Sequence, residues 1–452
     1  MNKQIPSISP ETYAARRRVL MDKLGKQGVA IVKSAAVLIR NRDADFPFRQ
    51  DSDFWYLTGF NEPEAVAVFI PEREEGEFIL FCQPRDPAME RWTGRRAGVE
   101  GVVADYGADQ AFVIGELDKR LPNLISGRSE IHYRLGTDEG LDQQVMSWIN
   151  VLRRQVRNGI PAPTTLKMLD VILHDMRLFK APEEVAMMRY AAQTSARAHT
   201  KAMQICRPQM NEFQIEAELV REFRVDGMVP AYNSIVGAGE NGCILHYVEN
   251  NCPLKAGDLL LIDAAGEHQG YASDITRTFP VSGKFSPEQR ALYQVVLDAQ
   301  KAAIAAVKPG NTWDDPHQAA VRALTSGLVA LGLLQGSVEE LMKDPPPPAD
   351  GEKASEAPYR QFYMHKTGHW LGLDVHDVGE YKMNGEWRIL ETGMVLTVEP
   401  GLYISPADNV DPKWWNIGIR IEDDVLVTHD GCEILTSGVV KEIHDIEALM
   451  AG

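Results

Sequence analysis

Two acidic residues stand at the facing ends of a predicted β-hairpin in the second half of the chain. The apolar run 259–262 ends at Asp263, and Asp274 opens a second strand-like run. A hairpin centred on His268 and Gln269 would place residue 263 directly opposite residue 274, with Cβ atoms roughly 5 Å apart. Like charges at that distance destabilise a sheet, and a divalent cation would compensate them. The alternative is that one aspartate is an edge or turn residue and that no pair exists.

A second acidic pair follows two later strand-like segments. The apolar segment 394–398 ends at Glu399, and the segment 417–421 ends at Glu422. Alternation along the second segment places Arg420 and Glu422 on one face. Both glutamates are therefore candidate metal ligands. A glutamate beside an arginine is more often an ordinary ion pair, so Arg420 by itself indicates little.

Histidines concentrate between these segments, where His365, His369 and His376 are three of the chain's eleven. Core packing can also produce such a cluster, but one imidazole added to four carboxylates completes a set for two metal ions. This hard, oxygen-rich set favours Mn²⁺ or a similar ion over the thiolate sites of structural zinc. Two ions about 3.5–4 Å apart can activate a shared water and polarise a carbonyl. The residues alone predict metal-assisted hydrolysis.

Composition excludes several classes of function. The 452 residues carry 47 basic and 64 acidic side chains, a net charge of −17, which disfavours nucleic acid and anionic membrane surfaces as partners. No apolar run reaches the roughly 20 residues that span a bilayer, and the first residues lack the apolar core of a signal peptide. Five scattered cysteines indicate buried thiols and no disulfide framework. We expect a cytoplasmic protein.

The pattern of predicted elements indicates two domains. Strand-like runs alternate with helix-like ones over residues 1–175, which predicts an α/β domain. Residues 176–452 follow the order helices, strands, helices, strands, which predicts an α+β domain, with one helix capped by Ser286. Between the later helices and the later strands of this domain, the proline run Pro345–Pro348 predicts a solvated polyproline loop.

Six segments of the chain closely resemble bacterial aminopeptidase P, a family of Xaa-Pro aminopeptidases. They contain the acidic and histidine residues above and the block from Gln50 to Phe60, and lie at residues 50–60, 241–247, 263–278, 365–377, 397–401 and 418–424. The resemblance implies a pita-bread catalytic domain with two Mn²⁺ ions, preceded by a creatinase-like domain that serves oligomerisation and substrate access. It implies removal of the N-terminal residue from peptides with proline second.

The resemblance also implies a role for each metal ligand. Asp263 would chelate one ion, Asp274 and Glu422 would bridge both, and His369 and Glu399 would complete the other side. Glu399 would also act as general base for the attacking water.

Substrate contacts are implied by the same resemblance. His246 and His376 match histidines that bind the scissile peptide and the developing oxyanion, and His365 matches one lining the pocket beyond the scissile bond. Tyr232 or Tyr403 could complete a pocket for the proline ring.

Three further residues match supporting groups of the family. Arg420 and Asp43 match groups near the site, and Trp92 matches a tryptophan lent by a neighbouring subunit, so a homo-oligomer, tetramer or dimer, is expected. Lys366 and Thr367 depart from the Gly-Leu of many relatives, which puts the substrate range in doubt. The alternatives are a prolidase limited to Xaa-Pro dipeptides, a metal-free creatinase-like enzyme and a peptide-binding module.

Overall fold

The structure, a computed structural model, describes residues 5–155, 157, 159–344 and 356–452. The described residues divide into an amino-terminal unit within residues 8–177 and a carboxy-terminal unit that begins at residue 178 and also includes residues 5–7. This division lies two residues beyond the predicted boundary at 175. The run Pro345–Pro348 lies outside the described residues.

The amino-terminal unit is built on a six-stranded mixed sheet of order β6-β5-β4-β1-β7-β8, with a separate β2-β3 hairpin. Its strands are β1 (Gly28–Lys33), β2 (Ile39–Asn41), β3 (Ala44–Asp45), β4 (Val66–Phe69), β5 (Phe78–Cys82), β6 (Gln110–Val113), β7 (Glu130–Tyr133) and β8 (Thr165–Met168). Its helices are α1 (Pro10–Leu24), α2 (Ser52–Thr58), α3 (Pro87–Thr93), α4 (Gly98–Tyr106), α5 (Leu117–Leu124), α6 (Glu139–Arg154) and α7 (Asp170–Leu178). Continuous apolar runs form the buried central strands β4 and β5, so the predicted α/β character is confirmed.

The carboxy-terminal unit combines long helices with small antiparallel sheets, as an α+β fold requires. Its helices are α8 (Pro182–Ile205), α9 (Glu212–Val225), α10 (Pro287–Ala306), α11 (Asp314–Ala330), α12 (Val338–Leu341) and α13 (Ile443–Ala451). Its strands are β9 (Val229–Pro230), β10 (Ile235–Ala238), β11 (Leu259–Asp263), β12 (Gly266–His268), β13 (Tyr271–Ala272), β14 (Thr276–Pro280), β15 (Lys382–Met383), β16 (Glu386–Trp387), β17 (Val395–Val398), β18 (Gly401–Ile404), β19 (Ile417–Arg420), β20 (Asp423–Val427) and β21 (Cys432–Ile434).

The sheets that carry the predicted ligands are β10-β11-β14, β17-β20-β21 and β18-β19. Helices α8, α9 and α10 share an apolar core with the β10-β11-β14 and β18-β19 sheets. Strands β17 and β20 share a second core with Ala303 of α10 and Ala320 of α11. Helix α10 begins as predicted, because the Ser286 hydroxyl accepts from the Gln289 amide and the Gln289 side chain accepts from the Ser286 amide.

The predicted register of the acidic hairpin is wrong by two residues. Asp263 lies opposite Thr276, and His268 pairs with Tyr271, so the turn is centred on Gln269 and Gly270. Both turn residues have positive φ, 50° and 87°, as a tight two-residue hairpin turn with matching twist requires. A shift of two residues keeps the same face of the sheet, which is why the acidic residues still meet.

Two glycines let a backbone segment lie against β19. A Cβ atom at Gly418 would lie 2.0 Å from the carbonyl oxygen of Gly242, a distance that no side chain tolerates. Gly242 belongs to the 3₁₀ segment Gly239–Cys243, which leads into the loop that carries His246. This close contact places that loop beside the strand that ends at Arg420.

Two observations bear on compartment. No helix in the described part of the chain is long and apolar enough to cross a membrane. Among the five cysteines, Cys82 and Cys206 are buried as predicted, whereas Cys243, Cys252 and Cys432 are half-buried, and none forms a disulfide.

Candidate metal centre

The five predicted ligands come from five places in the carboxy-terminal unit. Asp263 ends β11, Asp274 precedes β14, Glu399 follows β17 and Glu422 lies between β19 and β20, while His369 lies in the loop before β17. One ligand atom each from Asp274, His369 and Glu422 lies within 4.8 Å of the others. His369 Nε2 is 3.4 Å from Asp274 Oδ2 and 3.7 Å from Glu399 Oε1.

Tyr232 connects the two aspartates. Its hydroxyl oxygen lies 2.6 Å from Asp263 Oδ1 and 2.5 Å from Asp274 Oδ1. Burial and the charges of both aspartates raise the pKa of Tyr232 well above its ordinary value, so the phenol stays a neutral donor. Its single proton can serve one carboxylate at a time, and the two aspartates compete for it.

Arg420 is buried, 3% exposed, and its guanidinium addresses three different groups. Nη2 donates to Asp263 Oδ2 at 2.6 Å, Nη1 to the Tyr403 hydroxyl at 3.0 Å and Nε to the Thr276 hydroxyl at 3.1 Å. The sequence offered an ordinary ion pair of Arg420 with Glu422 as the alternative, and the structure pairs Arg420 with Asp263.

Among the described residues, the remaining carboxylates form no ion pair with an arginine or lysine, and Asp274 and Glu399 face His369 instead. Burial, followed by the charge of Asp263, raises the pKa of Asp274 despite its contact with His369. Burial also raises the pKa of Glu399 to about 7, and burial with the charges of Asp274 and Glu399 raises that of Glu422 well above its ordinary value. Such excess negative charge, offered by hard oxygen donors, fits divalent cations.

The orientation of His369 suits a metal ligand. Its Nδ1 donates to the Trp370 carbonyl oxygen at 2.9 Å, which leaves Nε2 facing the carboxylates. In the metal-free protein Nε2 carries a proton, which it would give up on binding a metal ion. Burial lowers the pKa of His369, but Asp274 and Glu399 outweigh burial and raise it to about 9.

The other predicted histidines surround this centre. His365 Nε2 lies 2.8 Å from the Tyr403 hydroxyl, and burial together with the charge of Arg420 lowers its pKa to about 3, so the ring is neutral. The rings of His376 and His369 meet edge to face at 4.3 Å. Burial, then the charges of His369 and His246, lower the pKa of His376. His246 and His376 are both exposed, and so remain open to a substrate.

Two predicted residues lie in the amino-terminal unit. Asp43 lies in the exposed turn between β2 and β3, and Trp92 lies in α3 with 86% of its surface exposed. Their predicted roles beside the site, including the lending of Trp92 to a neighbouring subunit, stay predictions.

The sequence analysis missed several partners of the ligands. Ser273 and the Asp274 amide both donate to Asp424 Oδ2, at 2.7 and 3.2 Å, and Thr276 donates to Glu422. The two-residue alternation of strands could have indicated two of them, because Thr276 lies two residues after Asp274 and Asp424 lies two residues after Glu422. Tyr232 and Tyr403 were expected to line a proline pocket, and their hydroxyls contact the carboxylates, Arg420 and His365.

Family models match both units of the chain. The model of metallopeptidase family M24 matches residues 186–429, and that of the aminopeptidase P N-terminal domain matches residues 13–132.

The chain belongs to metallopeptidase family M24. Within this family, the Xaa-Pro aminopeptidase of Escherichia coli is 44% identical over 98% of both chains. The structure of the aminopeptidase PepP of Pseudomonas aeruginosa is 53% identical, covers 99% of both chains and superposes with a TM-score of 0.95. A zinc-substituted E. coli aminopeptidase P in complex with product is 44% identical, covers 98% of this chain and 99% of its own, and gives a TM-score of 0.93. The predicted family and M24 fold are confirmed.

Proposed function

We propose that this chain is a metal-dependent Xaa-Pro aminopeptidase, which removes the N-terminal residue of a peptide whose second residue is proline. The observation that carries the proposal is the cluster of Asp274, Glu399 and Glu422 around His369. Asp263 is linked to Asp274 through the Tyr232 hydroxyl, and Arg420 offsets its charge. Relatives that match nearly the full chain carry this activity in their names.

The five ligands would hold two divalent ions, for which Mn²⁺ is our proposal. When bound, these ions would supply an activated water and polarise the scissile carbonyl. The donor set, four carboxylates and one neutral imidazole nitrogen, supports a hard ion of this kind. Asp274 and Glu422 are the proposed bridging ligands, the role that the family resemblance implies, and both are buried carboxylates with raised pKa values.

Glu399 is the proposed general base. Its carboxylate takes the proton of the attacking water and delivers it to the proline nitrogen that leaves. In the metal-free protein, burial raises its pKa to about 7. Bound metal ions would lower this pKa and keep the carboxylate ionised, so that it can accept a proton. The Thr397 hydroxyl, 3.5 Å from Glu399 Oε1, limits the rotation of this side chain.

His246 and His376 are the proposed donors to the substrate. Both are exposed, and the His376 ring lies against that of His369, where a bound carbonyl oxygen would develop charge. His365 and Tyr403 form a wall that Arg420 holds in place, and we assign the proline ring to this wall. Proline suits a site that makes no hydrogen bond to the N–H of the second residue, because the proline nitrogen carries no hydrogen.

Substrate length provides the deciding experiment. The purified chain with Mn²⁺ is incubated with an Xaa-Pro dipeptide, an Xaa-Pro-Yaa-Zaa tetrapeptide and the matched Xaa-Ala-Yaa-Zaa tetrapeptide, and free Xaa is quantified. Cleavage of the proline tetrapeptide, and not of its alanine counterpart, is the expected result. An untouched tetrapeptide with a cleaved dipeptide would identify a prolidase instead.

Three features of the family remain proposals for this chain: a homo-oligomer, tetramer or dimer, a cytoplasmic location, and a role of the amino-terminal unit in assembly and access. If Trp92, which is exposed, enters the site of a neighbouring subunit, replacing it by alanine should lower activity. If it does not, activity should be unchanged. Light scattering of the wild-type chain gives the subunit number independently of that variant.

A further inference from the structure

Thr276 lies between the guanidinium of Arg420 and the carboxylate of Glu422 in the proposed metal centre. It opens β14 directly opposite Asp263, and its side chain is fully buried. Its hydroxyl oxygen is 3.1 Å from Arg420 Nε and 2.7 Å from Glu422 Oε2. In addition, the Glu422 amide donates to the Thr276 carbonyl at 3.1 Å, so main chain and side chain both join these two residues.

The direction of these hydrogen bonds follows from the donors available. A guanidinium Nε can only donate, so the Thr276 oxygen accepts from Arg420. The hydroxyl proton is then left for Glu422 Oε2. Because the same Arg420 donates to Asp263 through Nη2, one cation reaches the carboxylates on both sides of the site, one directly and the other through a hydroxyl.

We propose that Thr276 is a positioning residue for the Glu422 carboxylate. Its hydroxyl accepts from Arg420 and donates to Glu422, and so fixes the orientation of this carboxylate for metal binding. The inference rests on the proposed metal-dependent function. A carboxylate with one oxygen held by a directed hydrogen bond presents its other lone pairs in a defined direction, and groups behind metal ligands typically affect affinity in this way.

Thr278 supplies a matched control in the same strand. It lies one pleat along β14 on the same face and is equally buried. Its hydroxyl donates to the Arg420 carbonyl at 3.0 Å and accepts from the Arg420 amide at 3.2 Å, so it contacts main chain only. Removing either hydroxyl deletes two buried hydrogen bonds, but only the loss at 276 frees a predicted ligand.

The test compares Thr276→Val, Thr276→Ser and Thr278→Val with the wild type. Each protein is stripped with a chelator and titrated calorimetrically with Mn²⁺, and the Tm of each metal-free protein is measured. We expect Thr276→Val to weaken Mn²⁺ binding by about 10- to 100-fold, the usual effect of removing a partner of a ligand. Thr276→Ser keeps the hydroxyl and should restore binding, and Thr278→Val should lower Tm without a comparable loss of affinity.

Equal Mn²⁺ affinities of Thr276→Val and Thr278→Val would overturn the inference while the proposed function stands. A wild-type protein that binds no divalent ion would instead overturn the proposed function. If Thr276→Val does not fold, Thr276→Ala serves as the second hydroxyl-free variant, and its affinity is read against Thr276→Ser in the same way.

Discussion

Glu422 and Asp423 are consecutive buried carboxylates whose pKa values are displaced in opposite directions. Burial opposes the charge of Asp423, but Arg277 and Lys441 outweigh it and lower the pKa to about 2. For Glu422 the charges of Asp274 and Glu399 add to burial and raise the pKa. The fold compensates one charge with its own cations and leaves the other for a bound ion.

Neutralising each carboxylate should therefore have opposite effects on the metal-free protein. Glu422→Gln removes an uncompensated charge and should increase the free energy of unfolding, while metal binding and activity disappear. Asp423→Asn leaves Arg277 buried without its partner and should cost about 3–5 kcal/mol. Urea denaturation in the presence of a chelator measures both, and a shift of the same sign in the two variants would contradict this account.

A second pair of variants should distinguish a metal ligand, Glu422, from a residue that donates to the substrate, His376. Glu422→Ala should abolish activity and reduce bound metal, because it removes the carboxylate proposed to bridge the two ions. His376→Ala should keep near-normal metal content and lower turnover by roughly 10²–10³, the usual loss for an oxyanion donor. Elemental analysis beside kcat distinguishes them, and equal metal loss in both would refute the assigned roles.

Binding of the ion should stabilise the fold. At a Mn²⁺ concentration about 100 times Kd, the free energy of unfolding should rise by about 2.7 kcal/mol per site. Thermal denaturation with and without Mn²⁺ measures the shift, and Glu422→Ala should remove most of it. An unchanged Tm in the wild type would argue against binding of Mn²⁺ to the folded protein.

Two buried histidines outside the metal centre should lower the free energy of unfolding of the protein in acid. Burial lowers the pKa of His199, which donates to the Ala264 carbonyl, and of His317, which contacts the Thr367 hydroxyl, to about 4 each. Unfolded histidine protonates near pH 6.5, so between pH 6.5 and 4 the unfolded chain binds more protons. Their stabilisation is complete above pH 6.5 and is lost as the pH falls towards 4.

The contribution of His317 can be isolated by replacement. Between pH 7 and 5 it should amount to about 2 kcal/mol. His317→Gln cannot titrate, so its loss of stability over this interval, measured by urea denaturation without metal, should be smaller than that of the wild type by this amount. Parallel curves for both proteins would count against a neutral, buried His317.

Local patterns explain why much of the fold was predictable. The apolar runs of β4 and β5 and the capping box at Ser286 specify their elements through neighbouring residues alone. The five ligands could be predicted for the same reason, because each motif is a short segment. The structure brings Asp274, His369 and Glu422 from three of these segments together.

Relationships between distant segments were not predictable. The hairpin register depends on the left-handed conformations of Gln269 and Gly270, which counting between two aspartates cannot reveal. Arg277 meets Asp423 across 146 positions and Tyr232 meets Asp263 across 31. Such pairs are set by packing of whole elements, and a single sequence holds no local trace of them.

The contact between Gly418 and Gly242 limits how this enzyme could be redesigned. Since backbone meets backbone there, no side chain can be added to widen the gap without moving the loop of His246 away from Arg420 and the carboxylates. Enlarging the cleft for bulkier first residues would have to begin in the exposed stretch around His246 itself. Saturation libraries should accordingly recover glycine alone at 418 and diverse residues at Val248 and Glu249.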